Sequence, residues 1–240
     1  PFAGAYLLRC APDEGETISM PPGSDSNTKW KGSRDAWLDA AFELLLDSGV
    51  DSVRILPLAK RLDVSRTSFY WFFKDREALL DALIERWREK NTQGLVRQTE
   101  AYAESITEAI LNVFDCWLDP ELFDSPLEFA MRSWALQSDE VAKEIDMADE
   151  ARIEALTQMF ERYGFEPLAA NVRGRTIYLT QIGYISMKTQ ETLEVRMQRI
   201  PAYVEIFTGQ APQPRELQRF QARHGRAMED AQAASGTAGH

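Results

Sequence analysis

Two cysteines and two histidines are all that the 240 residues contain. Cys10 and Cys116 lie far apart, which offers no disulfide framework and no zinc spacing and fits a reducing compartment. His224 and His240 both fall near the C-terminus, so a histidine-based triad or a His-ligated metal has no donor in the expected core. No run approaches the roughly 18 apolar residues that a membrane span needs. The apolar piece Ala3 to Leu8 is too short, and lacks a basic lead-in, to read as a signal peptide. These absences lead us to expect a cytoplasmic protein without metal or cofactor, and not an enzyme.

Positive charge is scarce as well: 27 Lys/Arg face 38 Asp/Glu, a net charge of −11. Taken over the whole chain, that argues against nucleic acid, but the charge is unevenly spread. Between Thr28 and Arg76 nine basic residues meet seven acidic ones, a local excess of +2 that leaves −13 for the remainder. A small DNA-facing module on an acidic body is compatible with that asymmetry. A content of 44% hydrophobic and 27% charged residues is ordinary for a globular chain with a packed core.

Helical periodicity dominates. Trp37, Ala40, Ala41, Leu44 and Leu45 recur at helical spacing and stop at Ser48-Gly49, where glycine supplies a C-terminal cap. Leu79, Leu80, Leu83, Ile84 and Trp87 repeat the pattern, and further helices are expected over 102–117, 139–163, 167–189 and 191–207. Asp119-Pro120 and Ser125-Pro126 mark helix starts between them. No alternation of a strand intervenes. The expected fold is all-α, about nine helices, with a three-helix N-terminal head and a larger helical body. Residues 1–27 and 209–240, rich in Pro, Gly and small polar side chains, read as a flexible arm and a flexible tail, the alternative for the tail being a short helix around Arg215 to Ala234 with a thin apolar face; 28–77 and 78–208 read as the two domains.

The stretch from Leu56 to Phe73 carries the chemistry. Pro57 suits a helix first turn, and Leu58, Ala59 and Leu62 share one face. Asp63 tolerates the left-handed backbone of a tight turn, Val64 fills the corner, and Ser65 caps the next helix. Two short helices joined in this way form a helix-turn-helix. In the second, Phe69 and Phe73 face inward, leaving Arg66, Thr67, Tyr70, Trp71 and Lys74 outward. Arg66 can reach guanine O6 and N7, and Thr67 a thymine methyl or base edge. Tyr70, Lys74 and Arg76 suit phosphate, which sets register without reading sequence. Arg54, Ser65 and Ser68 complete the candidate DNA contacts.

The segment from Arg34 to Leu83 resembles the DNA-binding domain of TetR/AcrR-type transcriptional regulators, in particular the tetracycline-repressor type. The likeness rests on Gly49, Leu58-Ala59, Val64-Ser65, Phe69-Tyr70, Phe72-Phe73 and Glu77-Ala78-Leu79-Leu80, with Tyr70-Trp71 and Lys74. The chain departs from the pattern at Leu56, at Asp63 in place of the turn glycine, at Phe72, and at Val53-Arg54-Ile55 where a capping Ser/Thr is usual. The resemblance implies a homodimeric repressor on a palindromic operator, released when a small hydrophobic effector enters the body. The alternative is a helical ligand-binding or protein-interaction module whose DNA affinity is weak or lost.

Aromatic and polar side chains in the body suit an apolar cavity with a few polar handles: Trp117, Phe129, Arg132, Trp134, Tyr178, Gln181 and Tyr184, with Gln137 nearby. For the dimer surface the candidates form stripes on two long helices, Ile153, Leu156, Met159 and Phe160 on one, Ile177 and Met187 on the other, with Gly183 permitting close approach; packing within one chain is the alternative for the same stripes.

Overall fold

The computed structural model describes residues 32–237, with side chains as far as Gly225. The arm expected at 1–27 lies outside the described residues. Among those described there are ten α-helices and no strand. The head consists of α1 (Arg34–Ser48), α2 (Ile55–Leu62), a 3₁₀ helix (Arg66–Trp71) and the start of α3 (Arg76–Trp87). A π-helical turn (Arg88–Gln93) joins α3 directly to α4 (Gly94–Glu100). The body continues with α5 (Ile106–Leu118), α6 (Ser125–Ala135), α7 (Asp139–Arg162), α8 (Pro167–Ser186), α9 (Leu193–Thr208) and α10 (Pro214–Thr237).

Helix starts follow their capping chemistry. Ser33, Asp75, Ser105, Asp124, Ser138 and Thr192 each accept a hydrogen bond from a backbone N–H in the first turn of the helix they precede. Each such cap is worth about 1 kcal/mol. Asp63 closes α2 with φ 57° and ψ 46°, the left-handed conformation expected of it. The close passage of α4 beneath the α5–α6 connection depends on Gly94: a Cβ there would lie 2.2 Å from the Leu122 carbonyl oxygen.

Two apolar cores form, and the boundary between them does not follow the chain. The first joins Trp37, Leu58, Phe69, Phe73 and Leu79 of the head to Met131 and Trp134 of α6 and Ile145 of α7. Thus α6 and the first half of α7 pack as part of the head's foundation. The second core gathers Ile110 and Phe114 of α5, Leu156 and Phe160 of α7, Ile177 and Tyr178 of α8, Phe207 of α9 and Phe220 of α10. Each large apolar side chain buried in this way contributes about 1.5–3 kcal/mol.

The tail expected to be flexible from residue 209 is instead largely the helix α10, seated on α5. Phe220 and Glu216 are buried, and Glu216 accepts hydrogen bonds from Ser105 Oγ (2.5 Å), Thr107 Oγ1 (2.8 Å) and the Gln213 backbone N–H (2.7 Å). His224, read from the sequence as a tail residue, is buried 2.7 Å from Asp115 Oδ1 with its ring against Phe220. The polar pattern misleads because α10 presents one narrow apolar row and satisfies its buried polar groups on a helix more than a hundred residues earlier.

Candidate nucleic-acid interface and effector cavity

The second element of the expected helix-turn-helix is a single 3₁₀ segment, tighter than the α-helix its spacing suggests. Ser65 begins it by accepting from the Ser68 N–H (3.3 Å), and the Phe69 carbonyl ends it by accepting from both Phe72 and Phe73 N–H (3.0 Å each). Phe69 and Phe73 anchor it from within: both are buried, their rings stack at 5.4 Å, and Trp37 meets Phe69 edge-on at 5.2 Å. With these anchors in the core, Arg66, Thr67, Tyr70 and Lys74 all stand in solvent. Trp71 is 71% exposed and Tyr70 55%, so the aromatic pair lies on the outer surface of the head. Among the described residues neither Arg66 nor Lys74 is paired with a carboxylate, and Arg61 takes Glu43 and Asp47 as partners.

Two expected DNA contacts are spent elsewhere. Ser68 is buried and its hydroxyl donates to the Ser65 carbonyl (2.8 Å), so it is part of the turn. Arg76 folds back, donating from Nε to the Val53 carbonyl (2.7 Å) and from Nη2 to the Val50 carbonyl (2.9 Å). It pins the segment that leads into α2. Arg54 remains exposed while its Nε donates to the Asp51 carbonyl (2.8 Å).

Behind the head lies a cavity of about 630 Å³. Leu45, Leu46, Gly49 and Val50 from the end of α1 form one wall; Phe129, Ser133, Trp134 and Gln137 from α6 and beyond form another; Gln181 and Tyr184 of α8, with Lys188 and Arg196, close it. Four of the expected ligand residues are therefore here: Phe129, Trp134, Gln181 and Tyr184. Trp117 lies apart, in a crevice of about 30 Å³ alongside Phe114 and Tyr203, into which Gln181 and Tyr184 also reach.

Arg132 and Tyr178, also expected at the ligand, belong to a buried ionic network. Glu128 is 0% exposed and accepts from Trp87 Nε1 (2.7 Å), Asn91 Nδ2 (3.0 Å), Arg132 Nε (3.0 Å) and Arg152 Nη1 (2.8 Å). Arg152, likewise 0% exposed, donates to the Tyr178 hydroxyl (2.9 Å) and Thr92 Oγ1 (3.1 Å). Its guanidinium lies over the Trp87 ring at 5.0 Å and Phe123 at 5.6 Å, so its remaining polar face meets aromatic π-density. Tyr178 donates to Asp149 Oδ1 (2.5 Å), which Arg132 also holds. Burial by itself would raise the Glu128 carboxyl, but the Arg152 and Arg132 guanidiniums overcome it and hold it below its ordinary value. Burial pushes the Tyr178 phenol up, keeping it a neutral donor. Cys116 is pushed up to about 12 by burial, which makes it an inert core thiol.

The network joins the π-turn after α3 to α6, α7 and α8. Glu128 and Arg152 had no distinguishing mark in the sequence; the Glu128–Arg132 spacing of four is common on exposed helix faces. Lys188 and Arg196 were missed for a similar reason, since only the turn between α8 and α9 brings them to the cavity.

The dimer candidates divide. Leu156, Met159, Phe160 and Ile177 are buried in the subunit's own second core, which removes them from an outer surface. Ile153 is half-buried, Met187 is exposed, and a Cβ at Gly183 would meet nothing within 4 Å. The close approach of α7 and α8 within the chain occurs at Gly174, where a Cβ would lie 3.1 Å from the Thr157 backbone nitrogen. The large apolar side chains that α8 exposes are Leu168 (77%), Val172 and Leu179, with Met147 on α7.

Residues 38–83 match the family model described as "Bacterial regulatory proteins, tetR family". Tetracycline repressor protein class G of Vibrio anguillarum is 39% identical over 74 residues, which are 30% of this chain and 35% of that protein. Tetracycline repressor protein class C of Escherichia coli is 46% identical over 55 residues, 23% of this chain and 25% of that one. These matches span about a third or less of the relatives' length. Over a larger share of the chain the similarity is one of fold. The reduced form of E. coli NemR superposes with a TM-score of 0.52 at 18% identity, covering 75% of this chain and 99% of that one. A putative TetR-family regulator of Mesorhizobium loti superposes with a TM-score of 0.50 at 14% identity, covering 82% and 98%. Residues 38–83 thus carry the helix-turn-helix domain of the tetR family of bacterial regulatory proteins, set among the described residues on a helical body whose fold is like that of solved members.

Proposed function

We propose that the protein is a cytoplasmic, homodimeric transcriptional repressor that binds a palindromic operator and is released by a small effector with a hydrophobic body. The observation that carries this reading is the outer face of the 3₁₀ segment. Arg66, Thr67, Tyr70 and Lys74 stand in solvent on a turn anchored from inside by Phe69 and Phe73, and the cations lack carboxylate partners among the described residues. In a chain of net charge −11, unpaired cations gathered at one tip steer a polyanion to that tip. Arg66 and Thr67 read base edges; Tyr70, Lys74 and Arg54 hold phosphate. The exposed apolar row Leu168, Val172 and Leu179 on α8 supports a two-fold contact between subunits, which would present two heads to two half-sites.

The cavity behind the head supports the regulatory part. One wall belongs to α1 of the head and the others to the body, so an occupant touches both. A ligand that favours one head position by a few kcal/mol shifts operator occupancy tenfold or more. The test is a mobility shift on DNA selected from a random library, at two salt concentrations. We expect enrichment of a palindrome and a salt slope that falls by about one on Lys74→Gln. Failure to enrich any sequence, with binding absent at low salt, would favour a helical module without operator function.

A further inference from the structure

We propose that the effector is an amphipathic carboxylic acid, its carboxylate held by Arg196 and Lys188 and its hydrocarbon or aryl body lying along Phe129 and Trp134 toward α1. This rests on the reading of the cavity as the effector site and adds the charge and class of its occupant.

The cavity's charged groups are Lys188, Glu191 and Arg196. Glu191 is already neutralised by an ion pair with Arg199. Among the described residues neither cation has a carboxylate partner. Lys188 sits just past α8 with φ 50° and lays its ammonium on the Phe129 ring, 4.2 Å from the centroid. Arg196, near the start of α9, is half-buried and spends one N–H on the Trp117 carbonyl (2.9 Å), leaving its other donors without a protein acceptor among the described residues. Burial depresses its guanidinium below the ordinary value, and nearby Glu191 does not make up the difference. A desolvated cation under-compensated by protein is a site for an anion from outside.

The rest of the cavity decides what else the anion must carry. Leu45, Val50, Phe129, Trp134 and Ile185 are apolar or aromatic walls, which a small inorganic ion would leave unfilled. About 630 Å³ lies within the range that takes a drug-sized ligand. A neutral hydrophobe would fill the walls but leave Arg196 uncompensated; a cation would meet two like charges. An acid with an apolar body satisfies both ends.

Isothermal titration calorimetry on the full chain, with dodecanoate and naphthoate against their primary amides and dodecyltrimethylammonium, tests this, with DNA release measured in parallel. We expect one acid per subunit, bound about 10- to 100-fold more tightly than its amide, the span of a charge-assisted contact. Arg196→Gln and Lys188→Gln should each reduce acid affinity about tenfold and reduce amide affinity by much less. An amide or the ammonium compound binding as tightly as the acid would overturn the charge assignment while leaving the cavity as effector site. Acid binding without any change in DNA affinity would keep the ligand class and overturn the regulatory reading. Operator binding intact, with no acid bound, would overturn the present proposal alone.

Discussion

Replacing Glu128 by glutamine should unfold the protein far more readily than its single-atom change suggests. The carboxylate is fully buried among four donors from α3, the π-turn, α6 and α7. Glutamine keeps the shape but removes the charge, and its amide nitrogen must point at Trp87, Asn91 or a guanidinium, all of them donors. Arg152 is then left fully buried, with Asp149 Oδ1 at 3.9 Å as its nearest remaining anion, itself shared with Arg132 and Tyr178. Breaking a buried pair in this way costs about 3–5 kcal/mol. For a chain of this size that lowers Tm by about 6–20 °C, measurable by calorimetry, with urea unfolding at neutral pH giving the free energy. The pH dependence has a defined sign. Because Glu128 is held below its ordinary value when folded, its contribution is full above the unfolded carboxyl value of about 4.3 and is lost as pH falls through the depressed folded value. The gap between wild type and Glu128→Gln should therefore narrow in acid. Glu128→Leu with Arg152→Met, which removes both charges, should recover much of the loss. A Glu128→Gln protein within about 1 kcal/mol of wild type, or a double variant worse than either single change, would refute the assignment of this network as a mutually dependent unit.

Three further outcomes follow from single residues. Arg66→Ala should relax selection at one base pair per half-site by about 1–3 kcal/mol, with non-specific affinity kept; an unchanged profile from a randomised operator library would remove Arg66 from base reading. Gly94→Ala places a methyl 2.2 Å from the Leu122 carbonyl oxygen and should cost about 1–3 kcal/mol in thermal unfolding; a neutral effect would mean that the α5–α6 connection yields freely. Asp63→Gly should stabilise the head by about 1 kcal/mol, because the φ of 57° strains any residue with a Cβ; a loss of stability would show that the Asp63 side chain has a bond worth more than that strain.

The head was legible in the sequence because its determinants are local. The turn at Asp63, the cap at Ser65, and the inward pair Phe69 and Phe73 lie within eleven residues, so spacing alone states which side faces the core. The exposed outer face then follows by exclusion, apart from Ser68 and Arg76. Those two are held by backbone acceptors within the head: a serine one turn into its own helix bonds the Ser65 carbonyl, and an arginine bonds the carbonyls of Val50 and Val53.

In the body, by contrast, sequence determined the helices but not their neighbours. A stripe such as Leu156, Met159 and Phe160 has the same period whether it meets its own chain or a second copy, and tertiary packing placed it inside. Arg132 and Tyr178 read as polar handles; only the meeting of α6, α7 and α8 showed that Asp149, Glu128 and Arg152 already occupy them. The same holds for α10, whose partners on α5 are about 110 residues away. Periodicity and capping are properties of neighbouring residues and can be read along the chain. The partner of a buried charge, the wall of a cavity and the seat of a polar helix depend on contacts across it, where many arrangements satisfy one pattern and only close packing selects among them.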